Sequence, residues 1–536
     1  MLGSASGSML RRTGAAGAGS FVLGLTGGTM ERDLVQYCKG QLRRAYLMRS
    51  SVGNSTRGTY LTSRVASFAL AVALGTLLAL SVVAVAPAVP GWSSYKLVLV
   101  GLAGFAYLGV LVVGNVRRAL LASLILAIPL NLGFSPLGEV LPHAGGASVG
   151  VVLYPYDLPL IGLLALSVLD ALSRRQPVHF SSIDVAAILL VLWTTLSIYN
   201  SSHVQASMFE ILRMAKLYAL SRVIASNVNT RSDTWDVLIA LLVGLILQGI
   251  LGFIQYATGA DLGLGLYTVG TLRRVTGMFH WPVSFGTYVA TMMSVGLTLY
   301  IGNEGTRSKI LVGIACMVGS VAWMLTFSRG PWIALLAGVA LSCFLGWRAG
   351  WIDSRGMTKL VVFGLFVVIV GALFSRSVVA RIVEVQTNMS VISDRIRLNQ
   401  VALNMVRAHP FLGVGINTFI DVMQRYDTTG ITYQGPWPVH NVYLLVAAET
   451  GLVGLGLFLL LLFCAFRRGL QSASGDDAYM SVYAVGLLSG LSSMLVSNLA
   501  HFDLRGEEPL YAIFWLLIGL VVAINRMTNR ATVQAI

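Results

Sequence analysis

The sequence predicts an all-α polytopic membrane protein of about fourteen transmembrane helices, with one long outer loop that carries an amphipathic helix. Three observations predict it. Of 536 residues, 56% are hydrophobic and only 11% charged, with a mean hydropathy of +0.77, whereas soluble domains carry about a quarter charged residues. Apolar runs of bilayer-crossing length recur from Ala66 to Ile524 and leave no soluble catalytic domain between them. The Lys and Arg residues cluster in alternate loops, which sets the orientation because short basic loops stay on the inner side.

Taken in order, residues 1–64 mix Gly, Ser and Ala with Arg11, Arg12, Arg43 and Arg44. They read as a mostly flexible inner arm against an anionic leaflet, with a short helix at 31–49. Its stretch "AAGAGSFVLGLTGG" is broken by Gly and lacks a clear cleavage site, so it is weak as a signal peptide; Met30 and Met48 are alternative starts. The expected spans are 66–88, 96–113, 119–135, 157–172, 183–199, 208–226, 235–257, 286–301, 310–327, 331–347, 360–375, 442–465, 479–500 and 510–525. They divide into N-terminal membrane helices over 65–257 and a membrane core over 258–526 that includes the outer loop 376–441, followed by an inner tail, 527–536.

Much of the formal charge of +15 lies in inner loops and the N-terminal arm, where topology accounts for it, so nucleic acid is not an expected partner. The four cysteines have no CxxC spacing, and no two share an outer loop, so neither a disulfide framework nor a metal site is expected. His280, His409, His440 and His501 likewise lack an HxxxH pattern.

Topology leaves the outer-side cations unexplained. The loop 376–441 holds Arg376, Arg381, Arg395, Arg397, Arg407 and Arg425. Within it, "SDRIRLNQVALNMVRAHP" predicts an amphipathic helix with Ser393 as N-cap, Pro410 just past its end, and Leu398, Val401, Ala402 and Met405 on its apolar side. Such a helix suits the outer membrane surface, where snorkelling alone accounts for an arginine. "RRVTGMFHWPVSFGTY" supplies Arg273, Arg274 and His280, with Trp281 and Tyr288 as interfacial anchors. "TFSRGPW" puts Arg329 at a tight turn between two spans, and "HFDLRGEEP" adds His501, Asp503, Arg505, Glu507 and Glu508. Arg213 and Lys216 fall inside an apolar segment, where a charge costs at least about 2.5 kcal/mol unless it pairs or lines a polar cavity; Glu210, three residues before Arg213, is the obvious partner.

The stretch "HNVYLLVAAETGLVG" resembles the O-antigen ligase family of bacterial membrane glycosyltransferases, which also contains polymerase-like and protein-glycosylating members. The family pattern of His, Asn, nine residues, Gly, two residues and Gly is met by His440, Asn441, Gly451 and Gly454. "RVTGMF", "SRGPWIALLAG" and "HPFLGVGINTF" follow the family's order, so the resemblance covers roughly 260–465. It implies an inverting, metal-independent transfer of a glycan from a polyprenyl (undecaprenyl) diphosphate carrier to an acceptor hydroxyl. The acceptor would be lipid A core, a growing polysaccharide or a protein, and the site would face the periplasm of a bacterial inner membrane. No cofactor is implied, and a chain-length regulator or other assembly protein is a candidate partner. His440 is the expected base, because a neutral imidazole accepts a proton at near-neutral pH; Asp394, Asp421 and Asp503 are the other candidate bases, each more often a cap or a solvated loop residue. Arg274, Arg329, Arg397 and Arg213 are the expected diphosphate ligands, and Asn441 is expected to orient the imidazole or a sugar hydroxyl. Glu449 is expected to face away and pair with an arginine of another span; Gly451, Gly454 and Gly456 are expected to let helices pack closely.

Two other classes compete. A transporter or flippase would show inverted repeats and broken helices at mid-membrane, and no internal repeat is evident. A non-catalytic scaffold of envelope assembly is the third reading.

Overall fold

Polar caps end the apolar runs. The computed structural model describes residues 115–133, 152–174, 180–259, 267–269, 272–302, 306–352, 354–374, 389–475 and 477–535. The chain divides into two units, Met1–Ala66 and Ser67–Ile536, and all described residues belong to the second. The basic arm and the expected spans at 66–88 and 96–113 lie outside the described residues.

The helices in order are α1 (Val116–Ala127), α2 (Asp157–Arg174), α3 (Ser182–Leu196), α4 (Val204–Asn227) and α5 (Arg231–Thr258). A short hairpin follows, β1 (Tyr267–Val269) against β2 (Leu272–Arg274), antiparallel with Tyr267 opposite Arg274. Then come α6 (Pro282–Ile301), α7 (Thr306–Leu325), α8 (Arg329–Arg348), α9 (Ser354–Leu373), α10 (Met389–Ala408) and α11 (Phe419–Tyr426). The last four are α12 (Val442–Ala473), α13 (Ala478–Ser497), α14 (Asp503–Gly506) and α15 (Glu508–Ala535). Ser181 with Asp184, and Thr230 with Asp233, form reciprocal capping boxes on α3 and α5, and Asn441 and Asp477 cap α12 and α13. Each cap satisfies amide donors that a helix start leaves unpaired.

Eight helices among the described residues are long and apolar enough to cross a membrane: α3 with the 3-10 turn that carries it on to Asn200, α5, α6, α8, α9, α12, α13 and α15. The chain is a multi-pass membrane protein. The expectation of about fourteen spans exceeds this for identifiable reasons. α1 has 12 residues, α7 has a short apolar part, Lys309–Leu325, and α2 and α4 carry several charges. The hairpin departs from the all-α expectation; Tyr267, Thr268 and Val269 favour extended backbone.

The centre of the bundle is α6 and α13, both buried along their length. Small and hydroxylated residues join them to each other and to α8: Gly490 of α13 lies against the Thr291 carbonyl of α6, Thr298 donates to Ser342 of α8 at 2.8 Å, and Gly338 of α8 lies against Ser294 and the Ser489 carbonyl. In lipid, where apolar side chains gain little from meeting each other, such close packing and hydrogen bonding hold helices together. Tyr288, expected as an interfacial anchor, is instead buried in this centre at 1% exposure, packed on Phe279. At the periphery, α9 buries only Gly356 and Val370 and turns Val361, Leu365 and Leu373 outward.

Residues 389–441 fold onto one end of the bundle. The predicted apolar side of α10 is buried as expected, with Leu398, Val401, Ala402 and Met405 inside. They pack in a small core with Phe419, Val422 and Met423 of α11 and Leu445 and Ala448 of α12. α10 therefore buries that side in protein and not on a membrane surface. It also starts at Met389, so Ser393 lies inside the helix and does not cap it.

Candidate active site

α12 is two helices joined at a break. Gly451 has φ 73° and ψ 178°, backbone open essentially to Gly alone. The break leaves peptide groups unpaired, and "HPFLGVGIN" satisfies them. Leu452 N–H donates to the Pro410 carbonyl at 2.7 Å, while Val414 and Gly415 N–H donate to the carbonyls of Ala448 and Glu449 at 2.9 and 3.1 Å. A side chain on Gly451 would strike the Phe411 carbonyl. The expected role of Gly451 in helix packing is thus corrected: it forms the break. Gly454 does permit a close approach, to Trp193 of α3, whereas Gly456 faces open space.

His440 stands just before this split helix. Asn441 O accepts from Leu445 N–H at 3.0 Å, and its side-chain oxygen accepts from Tyr443 and Leu444 N–H at 2.9 and 3.0 Å. That oxygen is therefore engaged in capping. Val442 N–H donates to the Asn498 carbonyl at the end of α13, at 3.0 Å. The imidazole of His440 is thereby held against the segment after α13. Its ring lies edge-on to His501 at 5.7 Å and to Phe502 at 5.4 Å between centroids.

His501 is paired in turn. Its Nδ1 is 2.5 Å from Asp503 Oδ1, and Asp503 is fully buried. Ser284 and Thr287 of α6 donate to the two Asp503 oxygens at 2.7 and 2.8 Å. Burial pushes the Asp503 carboxyl up, but His501 and the two hydroxyls outweigh it and hold the group below its usual range. His440 moves the other way for its type. Burial first, then His501 and Arg395, lower its pKa to about 3, only partly offset by the Pro438 carbonyl and Asp503. His440 is therefore a neutral imidazole at ordinary pH.

The remaining expected residues gather at the same end of the bundle in separate settings. Arg274 is buried, donating to the Thr326 carbonyl at 3.0 Å and to Ser328 Oγ at 2.8 Å. That joins β2 to the α7–α8 turn, where Phe327 has a left-handed φ of 45° and Arg329 opens α8. Arg397 lies on α10, 3.9 Å from Asp394. Arg213 is enclosed by acids: it pairs with Glu508 and, at 3.2 Å, with Glu210, and donates to the Arg505 carbonyl. Lys216 meets Glu508 at 2.9 Å and Asp157 at 3.2 Å. Arg505 bridges Glu210 and Glu449, the latter at 2.8 Å. Glu449 thus has its arginine, though from the short α14 and not from another span.

Neither the pairing of His501–Asp503 with His440 nor the proximity of Arg395 was legible. Sixty-one residues separate His440 from His501 in the chain, and no spacing signals their meeting. The outer-loop clustering of "HFDLRGEEP" was the one hint.

The family model described as O-antigen ligase matches residues 314–459. That segment is similar to the O-antigen ligase family. The ligase-like segment runs from within α7 into α12 and holds Arg329, Arg397, His440, Asn441, Gly451 and Gly454, so the break in α12 and the loop docked on it are part of the match. Arg213, Arg274 and the His501–Asp503 pair lie outside it. No curated protein matches the chain. Among the described residues no group of three or more His, Cys, Asp or Glu side chains is arranged to hold a metal ion.

Proposed function

We propose that the protein is an inverting, metal-independent membrane glycosyltransferase that moves a glycan from a polyprenyl (undecaprenyl) diphosphate to an acceptor hydroxyl at the periplasmic face of a bacterial inner membrane, as a ligase or a polymerase of surface polysaccharide. The observation that carries the reading is the neutral His440 beside the His501–Asp503 pair, at the start of α12 and within the ligase-like segment.

In this reading His440 takes the acceptor proton as the oxygen attacks the anomeric carbon from the side opposite the diphosphate. The anomeric C–O bond breaks and the lipid diphosphate leaves with the bonding pair. Arg274, Arg329 and Arg397, with Arg395 beside His440, neutralise its developing charge. Arg213 is the weakest of the expected ligands, because Glu508 and Glu210 already hold it.

A base works best with a pKa near the operating pH, and His440 is lowered by burial and by its neighbours His501 and Arg395. A bound diphosphate offsets those neighbours and raises the imidazole towards its working range. Asp503, through His501, positions and supports the pair when the proton arrives.

The test is glycan transfer by purified protein from lipid-linked donor. His440→Gln should lower kcat by roughly 10²–10⁴, and the acid limb of kcat should lie at higher pH than that of kcat/KM. Transfer by His440→Gln at the wild-type rate, or by Asp421→Ala at background alone, would remove His440 as the base.

A further inference from the structure

Tyr267 and Trp281, from the segment before α6, meet Trp437, from the segment before α12, beside this site. Tyr267 of β1 lies edge-on to Trp281 at 6.0 Å between centroids, and Trp281 lies edge-on to Trp437 at 6.1 Å. A cluster built only for packing would close over its rings, yet these remain 40%, 36% and 41% exposed. Trp281 precedes Ser284 by three residues, and Ser284 donates to Asp503; Trp437 precedes His440 by three. Three extended residues reach at most about 10 Å, so the backbone of Trp437 lies within that distance of His440, and Trp281 and Tyr267 continue the row from it.

The edge of the row is polar. His280 has a side chain 66% exposed, and its Nδ1 is 3.1 Å from Glu507, which is 1% exposed. Asn131 donates to Glu507 at 3.0 Å and lies 2.8 Å from His280. At the other side the Arg274 guanidinium lies over the Tyr267 ring, 5.6 Å from its centroid. Neither His280–Glu507 nor the aromatic row has a part in the transfer chemistry.

We propose that Tyr267, Trp281 and Trp437 form a stacking platform for the pyranose rings of the glycan, with His280 and Glu507 taking sugar hydroxyls. The C–H face of a pyranose is apolar and weakly positive, which suits the negative face of an aromatic ring, and its rim of hydroxyls needs donors and acceptors alongside. A guanidinium at Arg274 beside Tyr267 and a His–Glu pair adjoining Trp281 flank the rings with the chemistries that a sugar attached to a phosphate needs. This rests on the glycosyltransferase reading, and a pyranose can reach the platform from the donor or from the acceptor.

The experiment measures binding of two carrier-free probes to the full-length protein in nanodiscs by saturation-transfer NMR. One is repeat-unit oligomer released by mild acid from the producing strain's own surface polysaccharide; the other is the acceptor core oligosaccharide of that strain. The wild type should bind one of them, which identifies the source. Trp281→Ala/Trp437→Ala should bind it at least about tenfold more weakly, the single Trp437→Ala should weaken it in the same direction, and the Trp281→Phe/Trp437→Phe pair should retain it. His440→Gln should bind normally while losing transfer, so failure of the base assignment and failure of the platform separate. The proposal is overturned if the wild type binds neither probe at millimolar concentration. It is equally overturned if the alanine variants bind as the wild type does, including the case in which they only loosen the protein's hold on the bilayer, the mark of lipid anchors.

Discussion

A neutral His440 carries an acid liability. Its folded pKa of about 3 lies below the ordinary histidine value near 6.5, so between those limits the unfolded chain binds a proton that the folded one does not. Stability therefore falls as pH drops through that window. His440→Gln should lose less thermal stability than the wild type between pH 8 and pH 5, as read by melting in detergent. His280 has the opposite sign: hydrogen bonding to Glu507 raises its pKa against the effect of burial. Its contribution is present below about pH 6.5 and is lost as pH rises through the folded value. Asp503→Asn tests a positioning role. It should lower kcat by the order of 10²-fold and move the acid limb of the rate profile, whereas damage to packing alone would leave that limb in place. The imidazole was legible from its motif because a His at the mouth of an apolar run has few structural reasons to be there. Its partners were not, because a hydrogen-bonded pair between loops leaves no periodic mark.

At the scale of elements, the broken α12 is the feature on which the site is built. The glycines of α12 have different tasks, and substitutions should separate them. Gly451→Ala places a side chain at φ 73° and against the Phe411 carbonyl, so it should cost at least about 1–3 kcal/mol in strain alone. It should also expose 410–415 to proteolysis. Gly456→Ala, facing open space in a helix, should be neutral or gain up to about 1 kcal/mol. Equal effects at the two positions would mean that the break is not what the motif preserves. The apolar pattern of α10 was readable, since Leu398, Val401, Ala402 and Met405 follow the 3.6-residue period. What covers that side was not, because lipid and protein satisfy the same pattern.

At the scale of the molecule, three cations, Arg213, Lys216 and Arg505, lie among four carboxylates, Asp157, Glu210, Glu449 and Glu508, and tie α2, α4, α12, α14 and α15 together. Removing one partner of such a buried pair leaves the other charge uncompensated, at about 3–5 kcal/mol. Arg213→Ala should therefore lower the melting temperature and the yield of folded protein, and Arg213→Met with Glu508→Leu should restore much of both. If Arg213→Ala melts normally and only transfer suffers, Arg213 belongs with the diphosphate ligands after all. The local part of this network, Glu210 with Arg213 three residues on, could be read from helical spacing; Glu508, almost three hundred residues away, could not.

The sequence by itself determined that the chain lives in a membrane and where the eight described helices able to cross it lie; that His440 and Gly451 belong to one motif came from the resemblance to a family. The first two follow from composition and from the length of apolar runs, which belong to each stretch of chain on its own. Tertiary structure alone decided that His440 meets His501 and Asp503, that Gly451 is a break sealed by a distant loop, and that α10 packs on protein. Those contacts join residues tens to hundreds apart, and their energy depends on burial and geometry that exist only once the helices have packed.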